Sequence, residues 1–273
     1  MSSVNKVIKI CAKILAALVI AAAVLSVFSV LDGHSTFIFF GKSTNISEDD
    51  MTKTTAAPEI DSTDLDIDLK AADLIIRRGE EFSVLVSNDS ISVDFGTTLK
   101  IEETSSKWHQ TAEKVIITMP KEKTFETVDI DVGAGQLTID EITADRFYLD
   151  IGTADVEINM ITANANIKCG LGDIDIKDGT IHDLDLELGA GDADIYATLT
   201  GEAQIECGVG DLDLTLKDGE AKNRVDCNVG LGSFTVNGDS VKGSRVIGSG
   251  ANSVEIDGGI GDVSVNFKKA VIE

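Results

Sequence analysis

The chain repeats itself about every nineteen residues, and this period constrains its fold more than any single motif. Six copies of a strand running into a glycine corner stand out. They are Ile130-Asp131-Val132-Gly133-Ala134-Gly135, Leu149-Asp150-Ile151-Gly152-Thr153-Ala154-Asp155, Ile167-Lys168-Cys169-Gly170-Leu171-Gly172-Asp173, Leu186-Glu187-Leu188-Gly189-Ala190-Gly191-Asp192, Ile205-Glu206-Cys207-Gly208-Val209-Gly210-Asp211 and Cys227-Asn228-Val229-Gly230-Leu231-Gly232-Ser233. Their first glycines fall at 133, 152, 170, 189, 208 and 230, with a weaker seventh at 248, in steps of 19, 18, 19, 19, 22 and 18.

Within a unit the alternation has period two. Ile167 and Cys169 face one way and Lys168 the other, and beyond the corner Ile174 and Ile176 flank Asp175. A unit this short cannot bury its own apolar face, but coils stacked ~4.8 Å apart share one core and pair each strand with its counterpart. The expected fold is all-β, a single-stranded parallel β-solenoid. The residue six places after the first glycine gives the clearest inward column: Ile139, Ile158, Ile176, Ile195, Leu214, Val236 and Val254. Glycine suits the corner because it adopts positive φ without steric cost, and Ala154 at the second position shows that smallness is the first demand. No helix-forming run follows any copy, which removes a dinucleotide-binding reading of the GxG pattern.

Ahead of the regular ladder, residues 65–76 match the unit with Lys70 in place of the first glycine and read as a degenerate first coil. Apolar alternations at Phe82-Ser83-Val84, Ile91-Ser92-Val93 and Val115-Ile116-Ile117, ending at Pro120, extend this into an N-terminal cap over residues 64–127, with regular repeats over 128–273. A cap is needed because an open solenoid end is an unpaired edge strand. At the other end, Lys268-Lys269 would blunt the last edge by charge.

The run Lys114-Val115-Ile116-Ile117-Thr118-Met119-Pro120-Lys121, followed by the unit from Val128 to Gly135 and the GxGD coils, resembles the bacterial putative-adhesin family of β-strand repeat proteins of unknown function. The resemblance covers residues 64–267. It implies a right-handed β-solenoid, a cell-surface setting and an N-terminal membrane segment, and supplies no catalytic residues.

From Ile14 to Leu31 the chain runs without a charge, interrupted only by Ser26 and Ser29, which suits a helix crossing a ~30 Å hydrocarbon core. Lys6, Lys9 and Lys13 precede it while Asp32 and His34 follow, so the expected topology has residues 1–31 as cytoplasmic N-terminus and transmembrane signal anchor, with everything later extracytoplasmic. A cleaved signal peptide is the competing reading, but its apolar region is shorter, and Ala21-Ala22-Ala23 sits in mid-segment. Cys11 lies on the wrong side of the apolar run for lipoprotein processing. Residues 32–63 read as a flexible tether, with Phe37-Ile38-Phe39-Phe40 at the membrane interface and a Ser/Thr/Asp/Glu-rich stretch containing Pro58. The expected partners are the cell membrane, through this helix, and a surface, wall or protein component. A net charge of −24 and a single Trp speak against nucleic acid.

Two acidic columns are the main chemical candidates. Asp155, Asp173, Asp192 and Asp211 occupy one, broken by Ser233; Glu157, Asp175, Asp194 and Asp213 form another two residues on. Carboxylates one coil apart repel by about 4 kcal/mol at an effective dielectric of 20, so a weakly bound calcium along the ridge of Asp155, Asp173, Asp192 and Asp211 is one expectation, the sole cofactor foreseen. The other is that these aspartates accept backbone N–H bonds at the bend, and the spacing lacks the GGxGxD signature of calcium-binding rolls.

Cys169 and Cys207 share an inward column two coils apart with Leu188 between, beyond disulfide reach, and Cys227 could approach Cys207 from the next coil. His34, His109 and His182 are too scattered for a zinc site. Ser35 lacks the closing glycine of a nucleophile elbow, and Trp108-His109 reads as a solvated loop with Trp108 as a contact residue at best. No catalytic residues are expected. The function read from these features is a non-enzymatic, adhesin-like or envelope-associated surface module, with a calcium-dependent polysaccharide-active β-helix as the alternative. Steps of 18 to 22 residues leave little room for the long loops of a glycan cleft.

Overall fold

The computed structural model describes residues 47–48, 51–54, 61–104, 113–241 and 245–268. The expected anchor, most of the tether, His34, Ser35, Cys11 and Trp108-His109 lie outside these residues. Among the described residues no helix is long and apolar enough to cross a membrane.

Among the described residues, parallel coils stack into a shaft nine layers deep. In spatial order, layer 1 is Thr98–Glu103 with Glu113–Pro120, layer 2 is Asp64–Gly79, layer 3 is Phe125–Ile139 and layer 4 is Ile142–Ile158. Layer 5 is Ile161–Leu171 with Ile174–Ile176, layer 6 spans 179–197 and layer 7 spans 198–216. Layer 8 is Asn252–Ile260 with Val263–Phe267, and layer 9 is Asn223–Leu231 with Phe234–Val236. The fold is thus all-β and solenoid-like, as the period requires, and the alternation of apolar and polar residues follows the burial of each strand: residues 161, 163, 165, 167 and 169 are buried, with polar neighbours between them.

The stacking order departs from the chain order at both ends. Layer 2 comes first in sequence yet lies between layer 1 and layer 3, pairing in parallel with both. Layer 8 comes last yet lies between layers 7 and 9, with Ala203, Val254 and Val225 in one row. The expectation that each coil stacks on the next in sequence is therefore corrected for the terminal coils. The inward column reads Ile117, Ile76, Ile139, Ile158, Ile176, Ile195, Leu214, Val265 and Val236; Val254 belongs to a different column. The 22-residue step follows from the same correction, because the chain skips a layer there through a single 3-10 turn at Glu220–Lys222.

This interleaving deals with the edges. A terminal coil paired on one side only would fray and recruit foreign strands; a coil inserted between two others cannot. The true end layers are in turn covered by antiparallel strands. Ile91–Phe95 and Ser83–Val86 pair onto layer 1, with Thr52–Thr54 beyond, and Asp239–Val241 and Arg245–Ile247 pair onto layer 9. A continuous aliphatic core runs up the shaft. One inward column alternates size, with Phe147 fully buried against Ala165 in the next layer, so a ring on one level fits over a methyl on the other.

Candidate interaction surface

The glycine corner is built from backbone packed on backbone. A Cβ on Gly133 would lie 2.5 Å from the Lys70 carbonyl oxygen, and one on Gly152 would lie 2.5 Å from that of Gly133. At the second glycine of the corner the demand is doubled: Gly210 has φ +134°, and a Cβ there would sit 1.9 Å from the Gly191 oxygen. Lys70 escapes the rule because its own layer is supported differently. Glu103 of layer 1 accepts the backbone N–H of Lys70 at 2.9 Å and that of Ala71 at 3.3 Å through one carboxylate oxygen, where other layers rest on a carbonyl.

Two residues past the exposed corner side chain, the aspartates form a ladder of hydrogen bonds running up the shaft. The backbone N–H of Asp173 donates to Asp155 Oδ1 at 3.3 Å, that of Asp192 to Asp173 Oδ1 at 2.8 Å, and that of Asp211 to Asp192 Oδ1 at 2.8 Å. The ladder continues where sequence order would not place it. Asp262 N–H donates to Asp211 Oδ1 at 2.7 Å and Ser233 N–H to Asp262 Oδ1 at 2.7 Å. All four aspartates of the expected calcium ridge are thus brought together, each with one carboxylate oxygen bonded to the next layer's N–H. Among the described residues no three His, Cys, Asp or Glu side chains converge as metal ligands.

The residues between the glycines form an outward column on the same corner. Leu171, Ala190, Val209, Ile260 and Leu231 lie in register on layers 5 to 9. Leu171 is 41%, Ile260 47% and Leu231 68% exposed, among the few large apolar side chains the described surface presents. Toward layer 2 the column gives way to Thr153, Ala134 and Ala71. The pattern of Toastrack DUF4097 matches residues 59–266, which spans this corner on every layer. The chain belongs to the Toastrack family. This is the membership toward which the resemblance pointed.

Among solved structures the Toastrack chain is similar to a "putative cell adhesion protein" from Clostridium sporogenes at 18% identity, covering 80% of this chain and 99% of that one, with a TM-score of 0.33. It is also similar to a "putative adhesin" from Bacteroides fragilis, at 14% identity over 79% and 96% of the two chains and a TM-score of 0.38. A third, a "putative lipid binding protein" from Parabacteroides distasonis, shares 17% identity over 81% and 97%, with a TM-score of 0.31. No curated protein matches the chain.

Carboxylates border the apolar column of this Toastrack chain on both sides. Asp173, Asp192, Asp211 and Asp262 follow it by two residues; Glu187, Glu206 and Asp257 precede it by three and stack in register. The second expected column, Glu157, Asp175, Asp194 and Asp213, also holds its register. Partial burial pushes the Asp194 carboxyl above its ordinary range, and Asp175 and Asp213 on the adjacent layers push it the same way. Asp129 and Asp131, on layer 3, are raised by burial and then by carboxylates of the adjacent layers: Asp66 and Asp150 for the first, Asp150 and Asp68 for the second.

Sequence reasoning missed Asp73 and Asp262 as ladder members. Asp73, 8% exposed, has its carboxyl raised by burial, while the Gln136 N–H on the next layer and Lys114 oppose the rise. Asp262 was legible in Gly259-Ile260-Gly261-Asp262, a complete corner that the weaker glycine at 248 obscured.

Cys169, Cys207 and Cys227 are buried free thiols. Leu188 separates the first two, as expected. Cys227 is corrected: it pairs with Ile256, which pairs with Ile205, so layer 8 intervenes and Cys207 faces Gly258 instead. Burial pushes the thiols up to about 11, 12 and 12 respectively, leaving them poor nucleophiles. His182 lies between Thr200 Oγ1, 3.0 Å from Nδ1, and Asp183 Oδ2, 3.0 Å from Nε2, on the open surface at 60% side-chain exposure.

Proposed function

We propose that this Toastrack chain is a membrane-anchored, extracytoplasmic module whose stacked corner engages a partner at the cell surface without chemistry of its own. The observation that carries this reading is the exposed aliphatic column from Leu171 to Leu231, held on a shaft whose backbone packing leaves the corner little freedom to collapse over it. Single exposed apolar side chains are ordinary, but a contiguous row of them, one per layer, marks a surface that something else covers. The uncharged run from Ile14 to Leu31, followed by a Ser/Thr-rich stretch, supports an anchor with a tether that projects the shaft from the membrane.

The test is photocrosslinking in intact cells, with a crosslinker at Ala190 or Val209, in the column itself, of the full-length chain. A discrete adduct with a surface, wall or membrane component is expected. The reading is overturned by the absence of any adduct, by protection of the folded region from protease added outside intact cells, or by release of reducing ends from a glycan panel by the purified chain.

A further inference from the structure

We infer that the corner of layers 5 to 9 is a docking strip for a basic amphipathic helix of a partner protein. The inference rests on the surface-module reading and names the partner's chemistry. The strip has three components in parallel. At its centre run Leu171, Ala190, Val209, Ile260 and Leu231, one per layer. On either side runs a track of glycines, Gly170, Gly189, Gly208, Gly259 and Gly230 before it and Gly172, Gly191, Gly210, Gly261 and Gly232 after it, so that the column is bordered by bare, tightly stacked backbone. Beyond the glycines stand carboxylates on layers 6 to 8, Glu187, Glu206 and Asp257 on one flank and Asp192, Asp211 and Asp262 on the other; layer 5 adds Asp173 opposite Lys168, which lies 3.9 Å from Glu187, and layer 9 carries Asn228 and Ser233.

Charge complementarity selects a cationic occupant. The three central layers carry carboxylates on both flanks within a chain of net charge −24, so a second copy of this chain is repelled, as is an anionic lipid surface. Periodicity selects the helix. Layers recur every ~4.8 Å, whereas same-face residues of an extended strand recur every ~6.6–6.8 Å and fall out of step after one layer. The apolar stripe of a helix advances by three or four residues of ~1.5 Å each, or ~5.3 Å on average, close to the layer spacing over the ~19 Å from Leu171 to Leu231. That length accommodates about 13 helical residues. Paired apolar residues of such a helix straddle the central ridge and lie against the glycine backbone on either side, while Lys or Arg at the margins of its apolar face reach the carboxylates of the middle layers.

The test uses the purified full-length chain in detergent micelles and a fluorescent 14-residue peptide of Leu and Lys patterned as an amphipathic helix. Fluorescence anisotropy measures binding, with empty micelles subtracted. Controls are a peptide of the same composition in scrambled order and one with Glu in place of Lys. The patterned basic peptide is expected to bind at least tenfold more tightly than either control, and the double variant Leu231→Ser with Ile260→Ser to lose at least tenfold. Both side chains are exposed, and circular dichroism verifies that the variant keeps its sheet. Equal binding of the scrambled peptide, or unchanged binding to the double variant, overturns the inference.

The surface-module reading is tested separately. If photocrosslinking captures a partner whose yield the double variant leaves unchanged, the strip is wrong and the module stands. If the variant instead loses association with vesicles of neutral phosphatidylcholine while peptide binding persists, the helix is wrong and the strip contacts lipid.

Discussion

The backbone N–H of Asp192 donates to Oδ1 of Asp173, one layer away, at 2.8 Å, and Asp192 accepts in the same way from Asp211. Each aspartate thereby supplies to its neighbour the acceptor that a turning backbone does not. The acceptor is the carbonyl-like oxygen rather than the charge, so Asp192→Asn is expected to leave the thermal midpoint nearly unchanged. Asp192→Ala is expected to cost about 1 kcal/mol, the usual net worth of one such bond. Chemical denaturation of the two variants checks this; equal destabilisation by Asn and Ala would show that the ladder depends on charge.

Substitution of corner glycines is expected to be graded by contact. Gly210→Ala places a Cβ 1.9 Å from the Gly191 oxygen at φ +134° and is expected to cost at least ~3 kcal/mol. Gly238 also has positive φ, +84°, but a Cβ there meets nothing within 4 Å, and Gly238→Ala is expected to cost only about 1 kcal/mol. Similar midpoints for the two variants would contradict backbone stacking as the reason for the glycines.

Stability is expected to rise as the solution is made mildly acidic. Asp73, Asp129, Asp131 and Asp194 all have carboxyls raised above the ordinary 3.8, so in the window just above that value the folded chain holds protons the unfolded chain has released. Folding stability therefore falls as pH rises through the window and is regained on descending into it. Below 3.8 the sign reverses. Asp178, lowered by Lys217, and Asp262, lowered by its bonds from Ser233, then take up protons at the folded state's expense. Thermal melts from pH 8 to pH 3 are expected to peak on the mildly acidic side, and Asp194→Asn to flatten the descent toward neutral pH. A midpoint that climbs steadily to pH 8 would contradict this.

Calcium is expected to have no effect on the thermal midpoint beyond that of magnesium at equal concentration. The ridge of Asp155, Asp173, Asp192 and Asp211 offers carboxylates in single file, each with Oδ1 bonded to an N–H, whereas calcium takes six to eight converging oxygens. A calcium-specific rise, reversed by chelator, would establish a metal ridge and reopen the polysaccharide-active reading.

The period in the sequence determined which side chains point inward and where the chain must turn. Ile158, Ile176 and Ile195 stack because alternation and spacing leave each no other register, and the glycines between them are demanded by the approach of one backbone to the next. Only the tertiary structure decided which coil lies on which. Leu214 meets Val265 rather than Val236, and Val209 meets Ile260 rather than Leu231, although in sequence the two candidate coils are nearly interchangeable. Coils of equal register pair about equally well in any order, so local pattern carries no information about sequence of stacking. The observed order holds the first and last coils of the chain between two layers each and leaves the end layers to be covered by antiparallel strands. The same insertion places Ile260 between Val209 and Leu231 and makes the apolar column continuous.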